Sequence, residues 1–210
     1  MTEESLRAVL AGFDRRAAER PDLSAAAVAI TLVTTGPDAD HVQVLITRRA
    51  PKLRTHSGQW ALPGGRVDAG ESVVAAARRE LAEELGLELP ESAVLGLLDD
   101  YPTRSGFVIT PVVLWAGPVT ADRPSRPGQR ALRPRPGEVA AVYGIPLDQL
   151  DVEPLFVSIP ESDAPVIRLP LMGRFVHAPT GAVLYQFREL ALHGRATRVG
   201  HLEQPVFAWR

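Results

Sequence analysis

The stretch that most constrains this chain runs from Gly65 to Leu87, GRVDAGESVVAAARRELAEELGL. A glycine-rich turn leads straight into a run with helical periodicity. Val73, Val74, Ala77, Leu81 and Leu85 fall on one face of a helix over 72–85, and Gly86 stands where helices end in a left-handed residue. Another face carries Glu80, Glu83 and Glu84. Positions i, i+3 and i+4 are neighbours on a helix, so these three carboxylates are expected to converge. Like charges crowded together are unfavourable unless cations offset them. Mg²⁺ and Mn²⁺ take such hard oxygen ligands, share their shells with phosphate oxygens, and acidify a bound water. Arg79, four residues before Glu83, is placed to hold a carboxylate in one rotamer. The pattern points to metal-assisted cleavage of a phosphoanhydride. A bare Glu-x-x-Glu-Glu would mean only a solvated acidic surface, so the surrounding residues decide.

The rest of the chain supplies what such a helix packs against. Residues 3–20 place Leu6, Val9, Leu10, Phe13 and Ala17 at helical spacing before Pro21, which predicts an amphipathic N-terminal helix. Residues 25–35 and 42–48 are apolar and rich in β-branched residues around Gly36-Pro37-Asp38, a hairpin pattern. Further strands are expected at 93–98, 107–116, 138–145 and 165–169, and a closing helix at 180–193. Residues 117–137 hold five prolines and five arginines (Arg123, Arg126, Arg130, Arg133, Arg135) and read as a mobile loop, either a solvated basic insertion or a help in docking an anionic substrate. The C-terminal helix and tail cover 180–210. The apolar end of the tail, Pro205 to Trp209, is expected to cover a core edge or a subunit interface. With no repeat and no convincing linker, we read one domain over 1–210.

Composition narrows the function classes. A formal net charge of −2 does not favour nucleic acid as a partner. No apolar run approaches the ~20 residues that cross a bilayer, so no membrane partner is expected. There are no cysteines, which rules out disulfides and thiolate zinc sites. The acidic start Met1-Thr-Glu-Glu-Ser5 lacks a signal-peptide layout, and a cytoplasmic location is expected. Lys52 is the only lysine against 22 arginines, a coding-bias pattern rather than a functional one.

The long pattern resembles the Nudix box, Gly-x5-Glu-x7-Arg-Glu-U-x-Glu-Glu-x-Gly-U, with U aliphatic. Gly65, Glu71, Arg79, Glu80, Leu81, Glu83, Glu84, Gly86 and Leu87 fill every specified position. The resemblance implies an α/β fold with a mixed β-sheet sandwiched between helices (α/β/α). It also implies hydrolysis of a nucleoside diphosphate linked to another group. By position, Glu80, Glu83 and Glu84 would bind metal or activate water, Arg79 would orient a glutamate, and the Gly64 carbonyl would complete a metal shell. Which glutamate acts as base stays open. Glu71 would support the loop and helix. The implied cofactor is Mg²⁺ or Mn²⁺.

The segment before the box, Leu45 to Gly65, resembles the added signature of coenzyme A diphosphatases. Thr47, Arg49, Ala50, Arg54, Gly58, Pro63, Gly64 and Gly65 match it, and Leu62 stands where that signature has Phe. The resemblance implies CoA or acyl-CoA as substrate, cut to adenosine 3′,5′-bisphosphate and (acyl-)4′-phosphopantetheine. Chemically, Arg49 and Arg54 are planar donors suited to phosphate, His56 adds a donor, and the Gly64–Gly65 backbone admits an oxyanion. Each has a plainer alternative: ion pairs that order the loop for the arginines, a structural hydrogen bond for His56. Trp60 is read as partly core or stacking on a base; Tyr101 and Phe107 as core or rim. Glu138 is read as a strand start or an added acidic group near the metals. At His177-Ala-Pro-Thr180-Gly-Ala182, only Thr180 keeps the subfamily's pattern at the last helix, where it suits an N-cap. The alternatives are a Nudix pyrophosphatase acting on ADP-ribose, NADH or a dinucleoside polyphosphate, and a non-catalytic sensor of the same fold. A homodimer joined through 3–20 and 195–210 is a further possibility.

Overall fold

The computed structural model describes residues 1–35, 41–51, 58–121 and 128–209. Its elements in chain order are α1 (Glu3–Ala11), β1 (Ser24–Thr35), β2 (His41–Arg49), β3 (Trp60–Ala61), β4 (Gly64–Arg66) and α2 (Val73–Leu85). There follow β5 (Val94–Leu97), β6 (Tyr101–Pro102), β7 (Phe107–Thr120), β8 (Arg130–Ala131), β9 (Val139–Pro146) and α3 (Leu147–Leu150). The chain closes with β10 (Leu155–Ile159), β11 (Ser162–Leu171), β12 (Arg174–His177) and α4 (Thr180–His193).

β1 organises the molecule because it is buried on both faces. Ala27, Ala29 and Val33 face Ala76, Ala77, Leu81 and Leu85 of α2. Ile30 and Leu32 belong to the opposite core, with Leu6 and Leu10 of α1 and Leu184 and Phe187 of α4. Small residues toward α2 and larger ones away from it let that helix lie close on the sheet. Strand order among the described residues is β3-β2-β1-β7-β5, with β4 also on β1, β9 on β2, and β6 and β8 on β7. β1 and β7 run parallel while β1 and β2 run antiparallel, so the sheet is mixed. This is the expected helix–sheet–helix architecture. A second antiparallel sheet, β10-β11-β12, packs against α4.

Several boundaries differ from expectation. The N-terminal helix stops at Ala11 instead of reaching 20. Two carboxylates explain the break, since the Arg16 amide donates to Asp99 Oδ1 (2.7 Å) and the Ala18 amide to Asp100 Oδ2 (3.0 Å). Amides engaged there are lost to a helical ladder. The Arg/Pro-rich segment is no free loop where it is described. β7 runs on to Thr120 and pairs in parallel with β8, and the Arg133 and Arg135 amides donate to the last carbonyls of α2, Leu85 and Glu84 (2.7 and 2.8 Å). Those carbonyls have no partner inside the helix, so this segment finishes α2. Arg123 and Arg126 lie outside the described residues, as does the expected turn at Gly36-Pro37-Asp38. β10 and β12 were not expected, and β11 is longer than the strand read at 165–169. Thr180 is the first helical residue rather than a cap, and its Oγ1 donates to the Trp60 carbonyl (3.4 Å).

Candidate active site

β4 lies between β1 and α2, and two glycines make that possible. A Cβ on Gly64 would sit 2.3 Å from the Ala27 carbonyl oxygen, and one on Gly65 would sit 2.4 Å from Glu80 Oε1. The first glycine lets β4 pair with β1; the second lets a carboxylate rest against the turn.

Arg79 ties this corner together. Its Nε and Nη2 donate to the two carboxylate oxygens of Glu71 (3.0 and 3.1 Å) and its Nη1 to Glu80 Oε1 (2.7 Å). Nη2 also donates to the Arg66 carbonyl (3.0 Å), while Nη1 stands 3.5 Å from Glu83 Oε1. Hydrogen bonds to Glu71 and then Glu80 raise the arginine's pKa further, so it stays charged. Glu71 accepts the Asp68 amide as well (3.0 Å), and the Arg79 hydrogen bond holds its pKa down. Glu71 thus joins the loop to the helix through Arg79.

The glutamates differ sharply in environment. Glu83 is about half exposed along its side chain. Glu84 is only 8% exposed, and its Oε1 accepts the Gly64 amide at 3.4 Å. Burial raises its pKa to about 7, against the opposing pull of the Gly64 amide and the Arg49 charge; Glu80 and Glu138 add to the rise. Among the described residues no three acidic or imidazole groups stand close enough to hold one ion. The expected convergence of Glu80, Glu83 and Glu84 is therefore corrected. They share one end of α2, but Arg79 draws Glu80 aside and Glu84 turns to β4. The donor set still fits a hard divalent cation: three carboxylates on one helix beside a carbonyl-bearing glycine turn.

A cavity of about 690 Å³ opens beside this corner. Arg49, Gly64 and Gly65, read from the sequence as substrate-binding, are among its lining, and Trp60 and Phe107 are too. Arg54 and His56 lie outside the described residues. Arg49 Nε is buried with no hydrogen-bond partner among the described residues. Tyr101 is core, 1% exposed. Leu62, the departure from the CoA signature, is buried in the larger core while bordering the cavity.

Sequence reasoning missed half of the lining. Arg48 and Arg66 stand at unspecified positions inside the two recognised patterns, and Arg66 lies over the Phe107 ring at 5.1 Å. Arg174, Phe175 and Phe207 come from β12 and the tail, where no local pattern marked a site, and His177 begins the weakly kept stretch before α4. Among the described lining residues there are four arginines and no carboxylate, so the cavity favours an anion.

A family model described as NUDIX domain matches residues 24–168. Two relatives, both described as uncharacterized Nudix hydrolase NudL, come from Pectobacterium atrosepticum and Cronobacter sakazakii. They are 38% and 40% identical to this chain over 107 and 105 residues. Each alignment takes in 50% of this chain and 50% of the relative, so the chain spans about half the length of the curated relatives it matches. Among solved structures, a Nudix hydrolase from M. smegmatis, RenU, is 20% identical with a TM-score of 0.51, covering 83% of this chain and 89% of that one. That likeness is one of fold.

Proposed function

The chain belongs to the Nudix family, whose model covers well over half of it, and from that premise we propose that it hydrolyses the pyrophosphate bond of CoA or acyl-CoA. The observation that carries this reading is the corner itself. The glycine strand β4 lies against Glu80 of α2 on one side and lines a cavity with four arginines on the other.

In this reading Glu80, Glu83 and Glu84 hold Mg²⁺ or Mn²⁺, with the Gly64 carbonyl. The ion supplies charge neutralisation at the anhydride and a more acidic bound water. The protein's own groups do the rest. Arg79 sets the Glu80 rotamer through its fork to Glu71. Arg49, which lines the cavity, would pair its guanidinium with a phosphate oxygen. The glycine backbone lets the diphosphate approach closely. A glutamate accepts the proton of the attacking water as one P–O bond forms and the bridging P–O bond breaks. The choice of CoA rests on the sequence resemblance between Leu45 and Gly65, together with an arginine-rich cavity suited to a substrate with three phosphates.

The test is a substrate panel of CoA, acetyl-CoA, dephospho-CoA, ADP-ribose, NADH and diadenosine tetraphosphate, with Mg²⁺, with Mn²⁺ and with EDTA, and products identified by mass spectrometry. The expected result is cation-dependent formation of adenosine 3′,5′-bisphosphate from CoA. Turnover of ADP-ribose without turnover of CoA would replace the substrate and keep the chemistry.

A further inference from the structure

The cavity has two walls of different origin. One, from β1, β2, β3, β4 and β7, carries Arg48, Arg49 and Arg66. The other comes from β12, the start of α4 and the tail, all beyond the span 24–168 that the family model matches. On this second wall Phe175 and Phe207 keep 44% and 55% of their surface exposed, whereas Phe187 of the neighbouring core is wholly buried. Val176, Ala178 and Pro179 also line this side, the first two almost wholly buried. His177 meets the Phe207 ring edge-on at 5.3 Å, and burial and the nearby Arg168 lower its pKa. Arg174 is the one cation this wall contributes among the described lining residues.

The wall is held in place. Tyr101 Oη donates to the Leu202 carbonyl (2.7 Å), the Arg104 amide donates to Gln204 Oε1 (2.8 Å), and Arg104 Nε pairs with Glu203 (2.7 Å). Thr180 Oγ1 ties the start of α4 to the Trp60 carbonyl. Two phenyl groups fixed at a cavity surface are therefore in position to cover apolar ligand surface, which is favourable to remove from water.

We propose that this second wall binds the hydrocarbon of an acylated substrate, so that the protein acts on acyl-CoA thioesters in preference to free CoA. The inference rests on the CoA reading above. The polyanionic half of such a molecule is matched by the arginine wall, and its acylated arm by the apolar one. A free thiol leaves the phenyl faces wet; an acyl chain covers them.

Steady-state kinetics with CoA, acetyl-, butanoyl- and octanoyl-CoA test this. KM is expected to fall about fivefold or more from CoA to octanoyl-CoA, since each buried methylene adds favourable transfer free energy. The Phe175→Ala/Phe207→Ala double variant should raise KM for octanoyl-CoA about fivefold more than KM for CoA, and Phe207→Leu, which keeps an apolar side chain, should retain most of the preference. Circular dichroism of each variant checks the fold. KM independent of chain length overturns the inference while leaving the CoA reading intact. Equal losses for CoA, octanoyl-CoA and ADP-ribose in the double variant overturn it too, because they assign the wall to the common nucleotide. No turnover of any CoA species, with turnover of another nucleotide, overturns both readings.

Discussion

Glu84 is the residue at which the site's electrostatics and the protein's stability meet. Burial lifts its pKa from 4.5 to about 7, so without a cation the folded state binds a proton there more tightly than the unfolded chain. The sign follows: the stabilising contribution is complete below pH 4.5 and is lost as pH rises through 7. A divalent cation offsets the buried charge once the proton leaves. Thermal melts in EDTA should therefore fall between pH 5.5 and pH 8 in a way that Glu84→Gln flattens, and Mn²⁺ should raise Tm more at pH 8. Equal slopes in the two proteins would show that Glu84 does not titrate in this range. The neighbouring glycines separate packing from chemistry. Gly64→Ala drives a Cβ into the Ala27 carbonyl, rigid backbone, and should cost several kcal/mol, on the order of an overpacked core. Gly65→Ala meets the movable tip of Glu80, so it should leave the melting temperature nearly unchanged while lowering kcat. Glu83→Gln, at an exposed position, should fold normally and lose on the order of 100-fold or more in kcat.

At the scale of elements, what a sequence reveals depends on how local the cause is. α2 was legible to within one residue because its evidence lies within its own turns: an apolar stripe and a left-handed Gly86 at φ 69°. The role of Glu71 was legible for the same reason, eight residues from Arg79. α1 was over-read because its end is decided by residues more than eighty positions away. Asp99 and Asp100 take amides that a longer helix would use, and no pattern within 12–20 announces this. Asp99 also accepts Arg198 Nη1 (2.7 Å) and Gln186 Nε2 (2.9 Å) while only 5% exposed. Asp99→Ala strands those donors and frees the 12–20 segment. Chemical denaturation should show a loss of about 3–5 kcal/mol, as for one partner removed from a buried pair. Asp22→Ala, which breaks the exposed pair with Arg20, should change little.

At the scale of the whole molecule, the candidate site divides into a part that a sequence motif can carry and a part that it cannot. The glycine turn, the glutamates and Arg49 lie within 49–84, where chemistry fixes residue types at short spacings. The second wall is a four-residue strand defined by its pairing with β11, and a tail placed by Tyr101 and Arg104 from a hundred residues away. Its phenylalanines occur in ordinary apolar contexts, so only the folded chain shows that they face the cavity. This division makes the tail's anchor a place where binding can be altered apart from bond cleavage. Arg104 pairs with Glu203 and stacks on Trp209 at 5.1 Å. Arg104→Ala leaves Glu203, 8% exposed, with the Ser162 hydroxyl and the Gln204 amide as its remaining donors. The expected stability loss is about 1–3 kcal/mol by urea titration. Because Arg104 contributes to the tail rather than to the glutamate corner, KM should rise several-fold with kcat changed much less. A fall in kcat at unaltered KM would mean instead that the tail sets the geometry of α2, and that the two halves of the site are one mechanical unit.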